Sequence, residues 1–246
     1  MQPSRSAAAV QHGEGSRPLI VAHRGAWAQA PQNSLHSVRR AAELGCDAIE
    51  IDVRRTVDGQ LVVVHDARVR WRQVARLEHR QVQDRMQVGQ APLVADVLDQ
   101  AAGRLLVDVE LKEDGYVAEV MALIAQRLTP EQYVVTSFLP RVLAQVKADR
   151  PGTRTGLLVG PGSARHAARR MREAGADFLA PHVTLVHAGI LEWAARRSLS
   201  AWVWTVNDAR SLAALSRDPR VAALITDTPQ LALAASHPVD LPDSRE

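Results

Sequence analysis

Carboxylates interrupt two short stretches that otherwise have the composition of buried β-strands. The stretches are Ile49-Glu50-Ile51-Asp52-Val53 and Val107-Asp108-Val109-Glu110-Leu111-Lys112. Side chains along a strand alternate between two faces, so in each stretch the apolar residues share one face and the charged residues share the other. Buried parallel strands normally carry apolar residues throughout, and a charge inside one requires an opposite charge or a metal ion beside it. The spacing therefore predicts a cluster of carboxylates inside the fold.

Two kinds of chemistry would stabilise such a cluster. Crowded carboxylates repel one another, and ligand sets made only of oxygen select hard ions such as Mg²⁺ or Ca²⁺, so one divalent cation is the first interpretation. The second is a buried ion-pair network in which basic side chains neutralise the acids. The members of that network would be the acids Glu50, Asp52 and Glu110 and the bases Arg24, Arg54 and Lys112. Residue types alone leave both interpretations open.

Two histidines follow apolar runs and are candidates for proton transfer. They are His23 in Val21-Ala22-His23-Arg24 and His65 in Val63-Val64-His65-Asp66. A histidine pair suits acid–base catalysis near neutral pH, since one ring accepts a proton while the other donates one, and Asp66 is placed to orient the His65 ring. Fixed positive charge from Arg24 and Lys112 suits an anionic phosphate group. Together these residues indicate phosphodiester chemistry.

Eight β-branched runs alternate with helical patterns from residue 19 onward, which is typical of a parallel sheet with crossover helices. Eight such units in 246 residues fit a single closed (β/α)8 TIM barrel, an α/β fold, and no G-x-G-x-x-G follows the first strand to indicate a dinucleotide-binding fold. The predicted strands are Leu19–His23, Ala48–Val53, Arg104–Leu111, Tyr133–Phe138, Thr155–Val159, Asp177–Pro181, Ala201–Val206 and Ala223–Thr226. Active sites of this fold lie at the C-terminal ends of the strands, where the charged residues above are placed.

The pattern is irregular after the second strand. Asp58-Gly59 precedes the apolar run Leu61–Val64, and an Asp-Gly pair between apolar runs predicts a short β-ribbon. Residues 67–91 then show no apolar stripe sustained at helix or strand period, so we predict an insertion over one barrel face. Its most prominent residues are Arg68, Arg70, Trp71, Arg72 and Arg76. A solvated charged face is the common role of such a segment, and contact with an anionic membrane surface is the alternative.

Composition excludes several classes of protein. Hydrophobic residues make up 46% of the chain, which excludes intrinsic disorder of the whole chain. The sequence contains no run of 18 apolar residues, so it predicts no membrane span. The net charge of +3 predicts no nucleic-acid partner, and a single cysteine, Cys46, allows no internal disulfide. We expect a disordered N-terminal tail over residues 1–17, one barrel domain over 18–237 and a C-terminal tail over 238–246. The N-terminal stretch does not resemble a secretory signal, so we expect a cytoplasmic protein without stable membrane insertion; its oligomeric state does not follow from the sequence.

A series of motifs runs in order over roughly residues 19–230. They are Ala22-His23-Arg24-Gly25, Pro31-Gln32-Asn33-Ser34, Gly45-Cys46-Asp47-Ala48-Ile49-Glu50-Ile51-Asp52-Val53, Thr56-Val57-Asp58-Gly59, Val64-His65-Asp66, Ala91-Pro92-Leu93, Asp96-Val97-Leu98, Glu110-Leu111-Lys112, Ser137-Phe138, Trp204-Thr205-Val206-Asn207 and Ile225-Thr226-Asp227. In this order they resemble the glycerophosphodiester phosphodiesterase family, part of the TIM-barrel superfamily of phosphatidylinositol phospholipase C-like phosphodiesterases. One H-R-G motif would be weak, whereas the ordered series is specific.

The resemblance implies a reaction and a role for each matching residue. It implies metal-dependent hydrolysis of a small-molecule glycerophosphodiester to glycerol 3-phosphate and an alcohol, with one divalent cation, Mg²⁺ or Ca²⁺. The implied roles are acid–base catalysis for His23 and His65, metal binding for Glu50, Asp52 and Glu110, phosphate binding for Arg24 and Lys112, and a place in the substrate wall for Trp204.

Departures from the family pattern keep other functions open. Gln32 stands where the family usually has glutamate, and the segment after His65 lacks the usual Arg-Thr-Thr and glycine-rich stretch. A lysophospholipase D-type hydrolase of a lipid phosphodiester is therefore the alternative function, and a non-catalytic barrel is the third. Local roles are expected for Asn33 or Ser34 as the cap of the first helix and for one of Trp202 and Trp204 in barrel packing.

Overall fold

The computed structural model describes residues 17–28, 30–86 and 91–236. Its strands are β1 Leu19–His23, β2 Ala48–Arg55, β3 Leu61–Val63, β4 Arg68–Val69, β5 Arg72–Gln73, β6 Leu106–Leu111, β7 Tyr133–Ser137, β8 Thr155–Val159, β9 Phe178–Pro181, β10 Ala201–Val203 and β11 Val221–Thr226. Its α-helices are α1 Leu35–Leu44, α2 His79–Gln83, α3 Val94–Ala101, α4 Val117–Ala125, α5 Pro140–Asp149, α6 Ala167–Ala174, α7 Ile190–Ala195, α8 Ala209–Leu215 and α9 Pro229–Ser236.

Eight parallel strands close into a barrel, which confirms the predicted TIM-barrel fold. The order around the sheet is β1-β11-β10-β9-β8-β7-β6-β2, and the pairing of β1 with β2 closes it. A helix follows each of these strands before the next one along the barrel. Six of the eight predicted strands differ from the structure at one end, by one to three residues. The largest difference is at β10, which stops at Val203 because only an isolated bridge joins Trp204 to His182 beyond it. β2 ends two residues later than predicted, β11 begins two residues earlier, β6 begins two residues later, and β7 and β9 are each one residue shorter.

The alternation along β2 places its charges inside the barrel, as predicted. Ile49, Ile51 and Val53 belong to the main core, which the helices cover. In the parallel register of β2 with β6, Glu50 pairs with Asp108 and Asp52 with Glu110, and all four acids are buried. Because paired positions in a sheet point to the same side, four carboxylates meet in one interior space.

Aromatic residues fill the barrel interior below that space. Phe178 stacks on Trp202 with ring centroids 4.7 Å apart, and both side chains are fully buried. Gly156 makes room for them, since a Cβ there would lie 2.2 Å from a ring atom of Phe178. Of the two tryptophans considered for barrel packing, Trp202 is therefore the one that packs the interior.

The ribbon and the insertion follow β2. β3 pairs antiparallel with β2, which confirms the predicted ribbon. The insertion continues with a β4–β5 hairpin, a 3₁₀ turn at Val74–Arg76 and α2, and residues 87–90 of the predicted 67–91 segment lie outside the described residues. The insertion forms a small core together with β3. Its apolar residues are spread over several short elements, which is why the sequence shows no single helix or strand period there. That core is Val62, Val64, Val69, Val74, Leu77, Val82 and Ala91.

The N-terminal end of the barrel begins with an ion pair. Arg17 donates to both carboxylate oxygens of Asp47, at 2.6 and 3.1 Å, and Asp47 also accepts from the backbone N–H of Ile20. The neighbouring Cys46 is buried, and burial raises the pKa of its thiol to about 12. Of the predicted tails, 1–17 and 238–246, all residues except Arg17 lie outside the described residues. None of the described helices has the length and apolar character needed to cross a bilayer.

Candidate active site

A cavity of about 190 Å³ opens at the C-terminal ends of the strands. Its lining residues are His23, Arg24, Glu50, His65, Asp108, Glu110, Lys112, Thr136, Phe138, Leu158, Trp204, Thr205 and Ile225. Seven of the eight residues predicted for the site are among them. The eighth, Asp52, is fully buried and contacts both Arg24 and Lys112. The fold therefore brings all the predicted site residues to one place.

Three carboxylates form the acidic centre of the cavity. One oxygen each of Glu50, Asp52 and Glu110 lies within 4.8 Å of the other two, and all three residues are buried. The backbone N–H of Arg24 donates to Glu50 Oε2 at 3.1 Å, while Glu50 Oε1 is buried without a hydrogen-bond partner among the described residues. An unpartnered buried oxygen in a group of oxygen ligands fits a hard divalent cation.

The pKa values of the buried carboxyl groups shift in opposite directions within this centre. Burial, together with the charges of Asp52 and Glu110, raises the pKa of Glu50 well above its ordinary value. Burial alone would also raise the pKa of Asp52, but Lys112 and Arg24 hold it at about 2. Burial raises the pKa of Glu110, which Lys112 partly offsets, and raises that of Asp108 to about 8. Protein cations thus balance Asp52 but leave Glu50 uncompensated.

The ion pairs match the network alternative only in part. Lys112 Nζ lies 2.7 Å from Asp52 and 2.6 Å from Glu110, and Arg24 Nε lies 3.3 Å from Asp52. Arg54, the third predicted base, instead pairs with Glu113 and donates to the carbonyl of His65. Arg54 does not reach the acidic centre because it lies near the end of β2, beyond Glu50 and Asp52. With Arg54 directed elsewhere, two bases face three acids.

Asn33 supports the acidic centre, a role that the sequence did not indicate. Its Nδ2 donates to Asp52 at 2.9 Å, and its backbone has a left-handed φ of 53°. Ser34, not Asn33, caps α1 by accepting from the backbone N–H of Ser37. Between β1 and this cap, Gly25 has a φ of 78°, and a Cβ there would lie 2.4 Å from Ser37. Only glycine fits this close approach.

His23 is held by a carboxylate from the far end of the chain. Its Nδ1 lies 2.7 Å from Asp227, which also accepts from Trp27 at 3.3 Å and from Asn207 at 2.6 Å. These bonds keep the pKa of Asp227 low, although its partial burial acts against them. The other ring nitrogen, Nε2, lies 3.9 Å from Glu50. Asp227 was not predicted as a site residue; its position directly after a strand was the available signal.

His65 has a simpler environment. Its Nδ1 lies 2.8 Å from Asp66, as expected, and its carbonyl accepts two bonds from Arg54. Burial lowers the pKa of His65, and this shift is opposed first by the charge of Asp52 and then by the bond to Asp66, whose side chain is 77% exposed. Each histidine therefore has Nδ1 on a carboxylate and Nε2 available to the cavity.

The opposite wall of the cavity is apolar. Trp204 meets Phe138 and His182 edge to face, with ring centroids 5.4 and 4.8 Å apart. Its indole N–H donates to the Ala180 carbonyl at 2.7 Å, which fixes the ring. Leu158 extends the wall. The wall shields one side of the cavity from water.

Comparison with known proteins identifies close counterparts. The model of the "Glycerophosphoryl diester phosphodiesterase family" matches residues 23–231. A glycerophosphodiester phosphodiesterase of Caldanaerobacter subterraneus subsp. tengcongensis is 27% identical over 236 residues, which covers 87% of this chain and 96% of that one. A probable glycerophosphodiester phosphodiesterase 1 of Mycobacterium tuberculosis is 50% identical over 52 residues, 21% of this chain and 19% of the relative.

Solved structures share the fold. The Oleispira antarctica phosphodiesterase, determined in complex with the product sn-glycerol-3-phosphate, superposes with a TM-score of 0.81 at 21% identity and covers 94% of this chain and 99% of that one. A putative glycerophosphoryl diester phosphodiesterase from Silicibacter pomeroyi gives a TM-score of 0.82 at 21% identity, with 94% and 97% covered. At this identity the likeness concerns the barrel itself.

Proposed function

This chain belongs to the glycerophosphoryl diester phosphodiesterase family, and from that premise we propose that it hydrolyses a glycerophosphodiester to glycerol 3-phosphate and an alcohol. The observation that carries the proposal is the meeting of two carboxylate-bound histidines with a buried acidic centre and two cations in one cavity. The named activity of the Caldanaerobacter relative and the glycerol 3-phosphate in the Oleispira complex support it.

Arg24 and Lys112 bind the phosphate in this proposal. Both side chains line the cavity and already contact Asp52, so their position is fixed before substrate arrives. Arg24 also donates to Gln32 Oε1 at 2.8 Å, a neutral partner that leaves the guanidinium charge in place. Pre-positioned donors stabilise the charge that develops on phosphoryl oxygens in the transition state.

Glu50, Asp52 and Glu110 would hold the divalent cation, Mg²⁺ or Ca²⁺. The unpartnered oxygen of Glu50 and the raised pKa values of Glu50 and Glu110 fit a missing positive charge at this point. A bound divalent cation supplies Lewis-acid stabilisation of phosphoryl oxygens. Asn33 keeps Asp52 oriented for this role.

The two histidines divide the proton transfers. The lowered pKa of His65 favours the neutral ring, which accepts a proton at Nε2 from the attacking water or glycerol hydroxyl. The carboxylate of Asp227 stabilises a positively charged His23 ring, which gives a proton from Nε2 to the leaving alcohol. In both rings the Nδ1 contact holds the orientation.

Release of glycerol 3-phosphate tests the proposal. The assay uses a panel of glycerophosphodiesters with Mg²⁺, Ca²⁺ or chelator, on the wild type, His23→Ala and the control His36→Ala, whose exposed histidine lies on α1. We expect metal-dependent release that falls about 10³-fold in His23→Ala and is unchanged in the control. Full release after exhaustive chelation, or an active His23→Ala protein, would contradict the proposal.

The lysophospholipase D-type alternative draws support from one observation, the apolar wall of Phe138, Leu158 and Trp204 beside the phosphate site. Such a wall also suits the hydrocarbon part of a lipid substrate. Turnover of a lysophospholipid compared with its deacylated counterpart separates the two functions. The non-catalytic alternative has no such support, because the chain keeps both histidines and every acidic ligand.

A further inference from the structure

The tip of the β4–β5 hairpin exposes an unusual side chain. Trp71 is 91% exposed, although tryptophan on a protein surface normally covers other apolar groups or a partner. Arg70 precedes it at the tip, and both residues are exposed. Neither residue contributes to the cavity or to the small core of the insertion.

The backbone at this tip adopts a conformation that these residue types disfavour. Val69 pairs with Arg72 across a two-residue turn, and the central residues Arg70 and Trp71 have φ values of 42° and 71°. A turn with two left-handed positions is normally occupied by Asn-Gly or Asp-Gly. Large side chains at both positions therefore act against the local stability of the turn, which indicates that they serve another purpose.

The surroundings of the tip are strongly basic. Residues 67–86 contain six arginines against Glu78 and Asp84, a formal charge of +4 that exceeds the +3 of the entire chain. Four of these arginines lie within five residues of Trp71, are exposed and form no ion pair with any part of the chain that the structure describes. They are Arg68, Arg70, Arg72 and Arg76. Uncompensated guanidinium groups around an exposed indole are suited to an anionic interface.

The hairpin is fixed at the catalytic end of the barrel. Arg68 follows His65 by three residues, so β4 begins within about 10 Å of chain from a cavity residue. The base of the hairpin is anchored by Val69 and Val74, which are buried in the small core. The Val74 N–H also donates to the Ala67 carbonyl at 3.0 Å. The exposed tip therefore projects from a held base.

We propose that the hairpin tip, Trp71 with Arg68, Arg70, Arg72 and Arg76, is a docking surface for an anionic phospholipid bilayer. The indole enters the interfacial region of the bilayer, where tryptophan is favoured, while the guanidinium groups bind the lipid phosphates around it. Attachment in this way is peripheral and reversible. Because β4 begins three residues after His65, attachment at the tip keeps the mouth of the cavity near the bilayer.

Co-sedimentation with vesicles tests the proposal without any assay of activity. The probes are phosphatidylcholine vesicles with and without phosphatidylglycerol. We expect binding only with the anionic lipid, and weaker binding as salt rises from about 0.01 M to about 0.15 M, because the screening length shortens from about 30 to about 8 Å. Trp71→Ala should weaken binding about tenfold, and Trp71→Phe should retain most of it.

Matched variants distinguish vesicle binding by the hairpin tip from binding caused by positive charge anywhere on the surface. Glutamine at the four tip arginines should weaken binding about fivefold for each charge removed, to the level of neutral vesicles. The control replaces four exposed arginines by glutamine at the opposite end of the barrel, where helices end and strands begin; among the described residues these four form no ion pair. They are Arg104, Arg150, Arg172 and Arg217. Equal losses in the two sets, no vesicle binding at all, or binding to duplex DNA in place of anionic vesicles would overturn the proposal.

Discussion

The two halves of the cavity wall differ in almost every physical respect. Three neighbouring strands, β1, β2 and β6, with the loop after β3, supply all the ionisable lining residues. The strands from β7 to β11 supply the neutral half, which consists of Thr136, Phe138, Leu158, Trp204, Thr205 and Ile225. One half of the wall is therefore charged and titratable, and the other is neutral and mostly apolar.

The two halves of the wall are expected to affect different kinetic constants. Groups that change charge or move protons lower the barrier only when they are stronger in the transition state than in the ground state. Apolar contacts with the non-reacting part of a substrate act on both states about equally. Changes in the charged half should thus reduce kcat, and changes in the neutral half should mainly raise KM.

The largest expected effect is at the centre of the charged half. Glu50→Gln should lower kcat/KM by about 10³-fold, because it removes a ligand of the proposed cation. The same change should raise the free energy of unfolding of the metal-free protein by about 1–2 kcal/mol, because it removes one of three crowded buried carboxylates. Denaturant unfolding with and without Mg²⁺ measures this, and a destabilised metal-free variant would contradict the view of an uncompensated acidic centre.

The second effect tests the support of the histidines. Asp227→Asn should reduce kcat by about 10²-fold, because it removes the charge that stabilises the His23 ring while keeping the shape. Asp66→Asn is the matched change on His65, and it should cost less than tenfold because Asp66 is largely exposed and water can replace it. Steady-state kinetics on both variants measures these losses. Equal losses in kcat would contradict the expected difference between the His23–Asp227 and His65–Asp66 pairs.

The third effect belongs to the neutral half. Phe138→Ala should raise KM about 3- to 10-fold and leave kcat within about twofold, because the ring pair with Trp204 contributes about 0.5–1.5 kcal/mol to the shape of the wall. A dominant loss in kcat would place Phe138 with the reacting groups and break the division between the halves.

The smallest effect is a shift in pH dependence. A lowered pKa keeps His65 neutral below its ordinary value of about 6.5, so activity that needs the neutral ring should persist into mildly acidic solution. The bond to Asp66 raises this pKa, hence Asp66→Asn should move the acidic limb of the kcat/KM profile to still lower pH. The native state binds fewer protons than the unfolded chain at this group, so its contribution to stability is lost as pH falls through the lowered pKa. A limb that moves to higher pH in Asp66→Asn would reverse the assigned sign.

The same division explains what the sequence could predict. Charges within β2 and β6 stand out against their apolar neighbours, so the acidic centre could be predicted from residue types. The same holds for the two histidines and for the bases Arg24 and Lys112. Leu158 and Ile225 lie within ordinary apolar strands, and nothing in their pattern separates a cavity wall from the core. Most of the neutral half could not be identified for this reason.

Contacts between site residues and other segments of the chain were the second feature that the sequence did not predict. Asp227 acts through a contact that only barrel closure creates, since it lies 204 residues from His23. Asn33 contacts Asp52 only because β1 and β2 pair side by side in the fold. Arg54 was assigned to the acids from its charge alone, and its direction depends on where β2 leaves the barrel. The barrel itself was predicted because eight repeated units leave a clear period, whereas short elements such as β4 and β5 have too few residues to show one.

The buried thiol of Cys46 has a practical consequence. It is the only cysteine in the chain, and the thiolate, which is the form that alkylating reagents attack, is suppressed by its raised pKa. A cysteine introduced at an exposed position, such as Trp71→Cys on the hairpin, would be the only thiol open to a maleimide dye or a spin label. The native chain therefore serves directly as the background for site-specific spectroscopy.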